Sequence, residues 1–541
     1  MKTGKVYLVG AGPGDASLLT IRADEVLKKA AVVLYDSLVG DAILSGIPDG
    51  CRKIGVGKRA GRHSVPQSET NRLIIEEAEK GNCVVRLKGG DPFLFGRGGE
   101  ELEGLAEKGI PFEIVPGITS PIAVPAYNGI PVTHRGFASS LHIITAHRKE
   151  GSAETLDFSS LAQMEGTLVF LMGAAALAEI CGGLIRAGKD PETPAAILES
   201  GTTAAQRRVT ATLRTLPEKS RQAEIGTPAI ILVGGVCALA ERFEWAEKRP
   251  LAGEKILLMR PRHLIREFAG RLRDRGAEVL EIPLIDTVLI PDNRPLDAAL
   301  DRIGSYDWIV FTSPTGVRLF FEKLAERRLD LRALAGCRFA VIGEGSRREL
   351  EARGIYADLI PEQYHAGALG QALAAECSRG RREDVAVVPE QTDSAIPQGQ
   401  KDAAVRSGVV SAEEARKQVR ILIPRARKGS RELTEALAAF TVDDIPLYET
   451  RSLKPEILDV ADRVENGGIT MAVFTSASMV RSFAEAAQGI ELIAVRAACI
   501  GEQTAAAARS FGMQVSVAGK ASLESLEELI LEMHAESRGI S

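Results

Sequence analysis

No apolar run in this chain of 541 residues reaches the roughly 18 residues that a membrane span needs. Cysteine is sparse and scattered. The seven residues form no C-x-x-C pair, so neither a disulfide framework nor a zinc site is indicated, and no metal is expected. They read as small buried residues. A net charge of −5 argues against general nucleic-acid binding, although local arginine clusters could still receive an acidic small molecule. The start lacks a signal peptide's pattern, because Met1-Lys2-Thr3-Gly4-Lys5 leads straight into an apolar strand. The expected location is the cytoplasm.

What is present describes a multi-domain globular protein. At about 150 residues per domain the length suggests three or four folding units. Residues 1 to about 246 alternate short apolar runs with helical patterns, the signature of an α/β unit. Strands are expected at Val6 to Val9, Ala31 to Tyr35, Val84 to Leu87, Leu141 to Thr145, Thr167 to Met172 and Ile230 to Val233. The segment 247–253, broken by Pro250 and Gly253, reads as a linker. Beyond it the chain repeats at a spacing of about 160 residues. Leu258-Met259-Arg260-Pro261-Arg262 and Ile282-Pro283-Leu284 are echoed by Ile423-Pro424-Arg425-Ala426-Arg427 and Ile445-Pro446-Leu447. Val310-Phe311-Thr312-Ser313 and Val341-Ile342-Gly343-Glu344 are echoed by Val473-Phe474-Thr475-Ser476 and Cys499-Ile500-Gly501-Glu502. Each echo puts hydroxyls, glycines or arginines at strand ends, where open α/β sheets carry ligands. Residues 379–418 interrupt the repeat with few large apolar side chains and read as a mobile insertion.

The densest feature is Val84-Val85-Arg86-Leu87-Lys88-Gly89-Gly90-Asp91-Pro92-Phe93-Leu94-Phe95-Gly96-Arg97-Gly98-Gly99, an apolar strand emptying into a glycine-packed loop. Glycines let the main chain approach a ligand without Cβ atoms in the way. A second such loop, Gly10-Ala11-Gly12-Pro13-Gly14-Asp15, follows the first strand, with Asp36 closing the second. This is a weak match to a dinucleotide fingerprint. Asp15 stands where the third glycine belongs, and Pro13 removes a donor that a phosphate would want. The loop better suits an adenosyl ligand without phosphates.

These motifs, with Phe95-Gly96-Arg97-Gly98-Gly99-Glu100-Glu101, Val115-Pro116-Gly117-Ile118-Thr119-Ser120 and Ile130-Pro131-Val132-Thr133-His134-Arg135, closely resemble the S-adenosylmethionine-dependent uroporphyrinogen-III C-methyltransferases. The resemblance covers residues 1 to 246. It implies contact with the donor, S-adenosyl-L-methionine, by Pro13, Gly89, Gly90, Asp91, Leu94, Thr119, Ser120, Met172 and Gly201. It gives Asp36 and Lys58 the acid and base roles. Arg97 is expected on the substrate side. Read alone, Asp36 is a turn cap and Lys58 a solvated charge. Thr145-Ala146-His147 departs from the family, which usually has glycine in the middle.

The duplicated half, about residues 251 to 535, resembles uroporphyrinogen-III synthase, which closes hydroxymethylbilane with inversion of the last ring. That resemblance implies Thr312, Ser313, Ser346, Thr475, Ser476 and Thr504 as neutral donors to substrate, and Arg260, Arg262, Arg425 and Arg427 as partners for its carboxylates. Tyr448 matches the candidate acid. Ser346 stands where threonine is common. Singly, each Ser or Thr also reads as a helix cap and each Arg as a solvated charge.

The expected fold is therefore α/β throughout: a two-lobed methylase-type domain over 1–246, then a duplicated two-lobed synthase over 254–541. Lobe one is expected at 254–286 plus 450–541, and lobe two at 287–449. Expected partners are small-molecule tetrapyrroles, with neither nucleic acid nor membrane, and the methyltransferase half is the candidate surface for a homodimer. Two rival readings remain: an NAD-dependent oxidoreductase built on Gly10 to Asp15, and a hinged two-lobed ligand-binding protein.

Overall fold

The structure, a computed structural model, describes residues 3–48, 50–57, 65–146, 156–259, 262–282, 285–379, 418–452, 460–465, 468–487 and 489–539. Lys58, Arg260 and nearly all of the expected insertion 379–418 lie outside the described residues, and Arg262 is described by its backbone alone.

The first sheet holds β1 (Val6–Gly10), β2 (Val32–Tyr35), β3 (Arg52–Gly55), β4 (Val84–Lys88) and β5 (Phe112–Val115), all parallel, in the order β3-β2-β4-β1-β5. Parallel strands place every carboxyl end on one edge. Four sequence motifs converge there for that reason: the loop after β1, Asp36 after β2, the glycine loop after β4, and Gly117 to Ser120 after β5.

A second sheet contains β6 (Leu141–Thr145), β7 (Thr167–Leu171), β8 (Pro194–Glu199), β9 (Arg207–Thr212) and β10 (Ala229–Val233), in the order β6-β7-β10-β8-β9. Only β6 and β7 run parallel. Met172 and Gly201 sit just past β7 and β8. Ala146 continues the β6 ladder, its amide donating to the Leu171 carbonyl at 2.9 Å, so a Cβ is accommodated where the family usually has glycine.

The next strands, β11 (Lys255–Leu258) and β12 (Glu278–Glu281), start a sheet that the chain leaves and later completes. In between come β13 (Ile285–Leu289), β14 (Trp308–Phe311), β15 (Arg338–Val341), β16 (Arg420–Ala426) and β17 (Thr441–Ser452), ordered β13-β17-β16-β14-β15. The chain then returns to add β18 (Met471–Phe474), β19 (Arg496–Cys499) and β20 (Gln514–Val517), giving β12-β11-β18-β19-β20. The internal repeat becomes architecture here. The run β12-β11-β18-β19 has the same order and echoed sequences as β17-β16-β14-β15. Ser313 and Ser476, matched in the repeat, take nearly identical backbones (φ −163°, ψ 152° and φ −162°, ψ 154°) and each caps the following helix.

Two compact units result, one of residues 1–284 with 453–541, the other of 285–452. The segment expected as a linker is instead packed. Leu251 is fully buried in the core of the β11 sheet, beside Ile256 and Leu272, and Ala252 is buried too. An apolar residue at that position adds to the core. Of the seven cysteines, five are buried, but Cys83 and Cys337 are only half-buried. No described helix is long and apolar enough to cross a membrane.

Candidate active sites

At the carboxyl edge of the first sheet, the loops after β1 and β4 are stitched by a reciprocal pair: the Gly12 amide donates to Gly90 O at 3.1 Å, and the Gly90 amide to Gly12 O at 2.7 Å. Gly10 and Gly117 pack against the same place so tightly that a Cβ on Gly10 would lie 2.5 Å from Gly117 Cα. Glycine is demanded there by backbone approach.

Asp91 organises this edge. Its Oδ1 accepts from the amides of Phe93 (2.8 Å) and Leu94 (3.2 Å), and Oδ2 from the Gly117 amide at 3.0 Å. A single carboxylate thus folds its own loop and ties it to the loop after β5. Asp36 works in the same way. Its Oδ1 accepts from the Leu38 amide at 3.0 Å, the turn cap expected of it, while both oxygens lie 3.3 Å from the Gly89 nitrogen. Its side chain keeps 24% of its surface exposed.

A cavity of about 1240 Å³ opens between these loops. Pro13, Asp36, Gly89, Gly90, Asp91, Leu94, Arg97, Thr119, Ser120, Met172 and Gly201 all line it. The structure therefore gathers around one cavity every described residue of the first half that was expected to touch donor or substrate or to serve as acid or base. Arg97 stands at its rim in a left-handed backbone conformation (φ 57°) and pairs with Glu100 at 2.5 Å.

Arg86 and Lys88, also in the wall, were given no role from the sequence. Two residues apart on β4, they share a face. Both reach Glu101 Oε1, at 3.1 and 3.0 Å, and Gln67 donates to the same oxygen at 3.0 Å. Arg86 is also 3.8 Å from Asp36 Oδ2. Burial pushes the Lys88 ammonium below its ordinary value, the neighbouring Arg86 adds to that, and Glu101 opposes it. The signal was available: two cations inside a buried parallel strand have to be paired.

In the unit 285–452, the Tyr448 phenol lies 2.7 Å from the Ser313 hydroxyl. Burial raises the phenol's pKa, and the Ser313 hydrogen bond partly offsets this. Arg425, expected to face substrate, instead makes a bidentate pair with Asp444, both contacts 2.7 Å, and donates to Ser430 O at 2.7 Å. Its fork is filled within the lobe. Ser346 is 1% exposed, and its hydroxyl has no hydrogen-bond partner among the described residues. Arg427 is exposed and pairs with Glu449 at 3.2 Å, and Thr312 follows β14. In the other unit, Ser476 caps its helix and meets Ser478 at 2.9 Å, Thr475 donates to Met479 Sδ at 3.4 Å, and Thr504 is buried.

Residues 5–217 match the family model of the tetrapyrrole (corrin/porphyrin) methylases. Residues 266–406 and 391–528 each match that of uroporphyrinogen-III synthase HemD. The chain is 41% identical over 533 residues to the porphyrin biosynthesis protein HemD of Ruminiclostridium josui, covering 98% of this chain and 99% of that one. It belongs to this family of fused enzymes. The fusion joins a uroporphyrinogen-III C-methyltransferase to a uroporphyrinogen-III synthase. The fusion is also 43% identical over 361 residues to the uroporphyrinogen-III C-methyltransferase of Bacillus subtilis, covering 66% of this chain and 74% of that relative. A solved uroporphyrin-III C-methyltransferase from Thermus thermophilus, complexed with S-adenosyl homocysteine, is 41% identical, with a TM-score of 0.38 over 43% of this chain and 99% of that one. The oxidoreductase and binding-protein readings fall with this membership.

Proposed function

We propose that the fusion enzyme converts hydroxymethylbilane to uroporphyrinogen III and methylates it twice to precorrin-2, on the branch to siroheme and cobalamin, in the cytoplasm. The division of labour is 1–246 for methyl transfer and 254–541 for ring closure, and the methyltransferase half is the candidate dimer surface. The observation that carries the reading is the cavity at the carboxyl edge of the first sheet, where all the glycine loops meet.

The cavity fits the donor chemically. Its walls include Leu38, Leu94, Val124, Leu171, Met172 and Ile230, and Pro13 offers no amide at the turn where a phosphate would want one. Arg86 and Lys88 are already engaged by Glu101. Pro13, Gly89, Gly90, Asp91, Leu94, Thr119, Ser120, Met172 and Gly201 hold S-adenosylmethionine, which supplies an electrophilic methyl group. The residues' task is to align a pyrrole carbon with that methyl and to exclude water. Asp36 takes the proton the macrocycle then loses, its carboxylate aimed by the Leu38 and Gly89 amides. Lys58 serves as its acid–base partner, and Arg97 meets a substrate carboxylate.

For ring closure the substrate's own nitrogens stabilise the cation formed as hydroxide leaves. Tyr448 donates the proton that makes the leaving group water. Thr312, Ser313, Ser346, Thr475, Ser476 and Thr504, with Arg260, Arg262 and Arg427, are the proposed substrate contacts; Arg425, held by Asp444 and Ser430, is not among them. Incubating the protein with hydroxymethylbilane and S-adenosylmethionine and weighing the product tests the reading. A dimethylated isomer III is expected, and isomer I alone or an unmethylated product would sink it.

A further inference from the structure

The methyltransferase half and the β11 sheet of the synthase half belong to one compact unit, and they meet beside the cavity. The contact is built of charges. Lys255 on β11 reaches Asp41 at 2.9 Å and Glu278 at 3.1 Å, and Arg463 reaches Asp41 at 2.8 Å. Asp41, which opens the helix Asp41–Gly46, is buried by these partners. Burial alone would push the Lys255 ammonium down, but Glu278 and Asp41 outweigh it and hold it above its ordinary value. A charge pair this enclosed is a fixed joint.

Glu278 also reaches past the joint. Its second oxygen accepts the Ala204 amide at 3.0 Å. Ala204 lies in the loop after β8, where Gly201 is flanked by Ser200 (φ 47°) and Thr202 (φ 70°). Two non-glycine residues in the left-handed region persist only where surrounding contacts over-determine them. The methyltransferase half supplies some of those contacts: Asp15 N to Thr202 Oγ1 at 3.2 Å, and Gln206 Nε2 to Tyr127 O at 3.3 Å. Two further links reach beyond it, to Glu247 and Glu278. Gln206, which accepts the Thr202 amide at 2.9 Å, donates to Glu247 at 2.8 Å, and Glu278 takes Ala204.

We propose that the synthase half is a working part of the methyl-donor site, with Glu278 as a positioning residue that Lys255 orients and that fixes the loop carrying Gly201. This rests on the proposed donor cavity. In a chain lacking this contact the loop would have one fewer anchor, and donor affinity would fall without any change in the groups that touch the donor.

The test is calorimetric titration of S-adenosylhomocysteine into the full-length protein, with amide hydrogen exchange over residues 200–206. Glu278→Ala is expected to weaken binding roughly tenfold, the order expected for a lost hydrogen bond to a charged acceptor, and to speed exchange at Ala204. Glu278→Gln keeps an acceptor oxygen and should stay within about threefold of the parent. Ring closure to isomer III should be unaffected in both. Wild-type affinity and exchange in Glu278→Ala overturn the proposal. Should that variant fail to fold, Lys255→Met carries the test, and unchanged affinity and exchange there overturn the proposal equally. Met172→Arg separates the two readings: if it binds as tightly as the parent, the donor cavity itself is misassigned, whereas loss of binding there with none at Glu278 leaves the cavity standing and removes only the positioning role.

Discussion

The phenol of Tyr448 lies 2.7 Å from the hydroxyl of Ser313, which at the same time accepts the Gly316 amide at 2.9 Å. Because that amide occupies one lone pair of Ser313, the phenol is held to the other lone pair or to the serine proton. Burial keeps the phenol protonated beyond its usual range, so it remains a proton donor at neutral pH. Tyr448→Phe is expected to slow enzymatic ring closure by a factor on the order of 10²–10⁴, the range for a positioned general acid. Unconsumed hydroxymethylbilane then closes spontaneously to isomer I, so the isomer ratio is the readout. Full-speed formation of isomer III would exclude the phenol as an essential acid.

Asp91 holds three amides, so its removal should unfold the donor edge rather than delete one contact. Asp91→Ala is expected to weaken S-adenosylhomocysteine binding by on the order of a hundredfold or more and to abolish methylation. Ring closure should survive, because the synthase sheets have separate cores. Loss of both activities in a folded protein would contradict two separate sites.

Asp36→Asn keeps an oxygen for the Leu38 or Gly89 amide but loses the base. Methyl transfer should slow by about 10²-fold or more while S-adenosylhomocysteine affinity stays near the parent's. Lys58→Ala should show the same separation of rate from affinity. Weakened affinity with normal turnover at saturation would instead put both residues in the donor pocket.

Glu254 ties the start of β11 into its lobe. It accepts from Arg496 at 2.7 Å on each oxygen, from His534 Nδ1 at 2.7 Å and from Thr470 at 2.5 Å. Burial would raise its pKa, but the hydrogen bonds from Arg496, Thr470 and His534 outweigh that and hold it below the ordinary carboxylate value. A depressed folded pKa stabilises fully above the ordinary value, and the contribution is lost as pH falls through the folded one. Glu254→Ala should therefore cost about 3–5 kcal/mol at neutral pH, since it leaves Arg496 unpaired. Urea unfolding of both proteins should show the gap closing in acid. A gap that persists there would assign the loss to packing.

Much of the molecule was legible in the residues themselves. Alternation of apolar runs with helical patterns located six of the ten described strands of the first half, β6 with the bounds the structure has, Leu141–Thr145, but not β3, β5, β8 or β9. The 160-residue echo is a property of the chain alone, and it foretold a duplicated pair of lobes; their shared strand order came from the structure. The glycine loops were legible because backbone approach excludes side chains, which restricts residue choice locally.

Partners chosen across space were not legible. Nothing near Arg425 in sequence distinguishes a guanidinium that faces substrate from one that grips Asp444, and Leu251 looks the same in a linker as in a core. Arg86 and Lys88 needed Glu101 beside them before their burial made sense. The sequence by itself determined many of the elements, the repeat and the family, because those depend on local periodicity and on motifs that the backbone imposes. Only the tertiary structure decided which charge meets which, as when Glu278 takes Ala204 from 74 residues away. Burial and pairing of charges are set by distances that exist only after the sheets have formed.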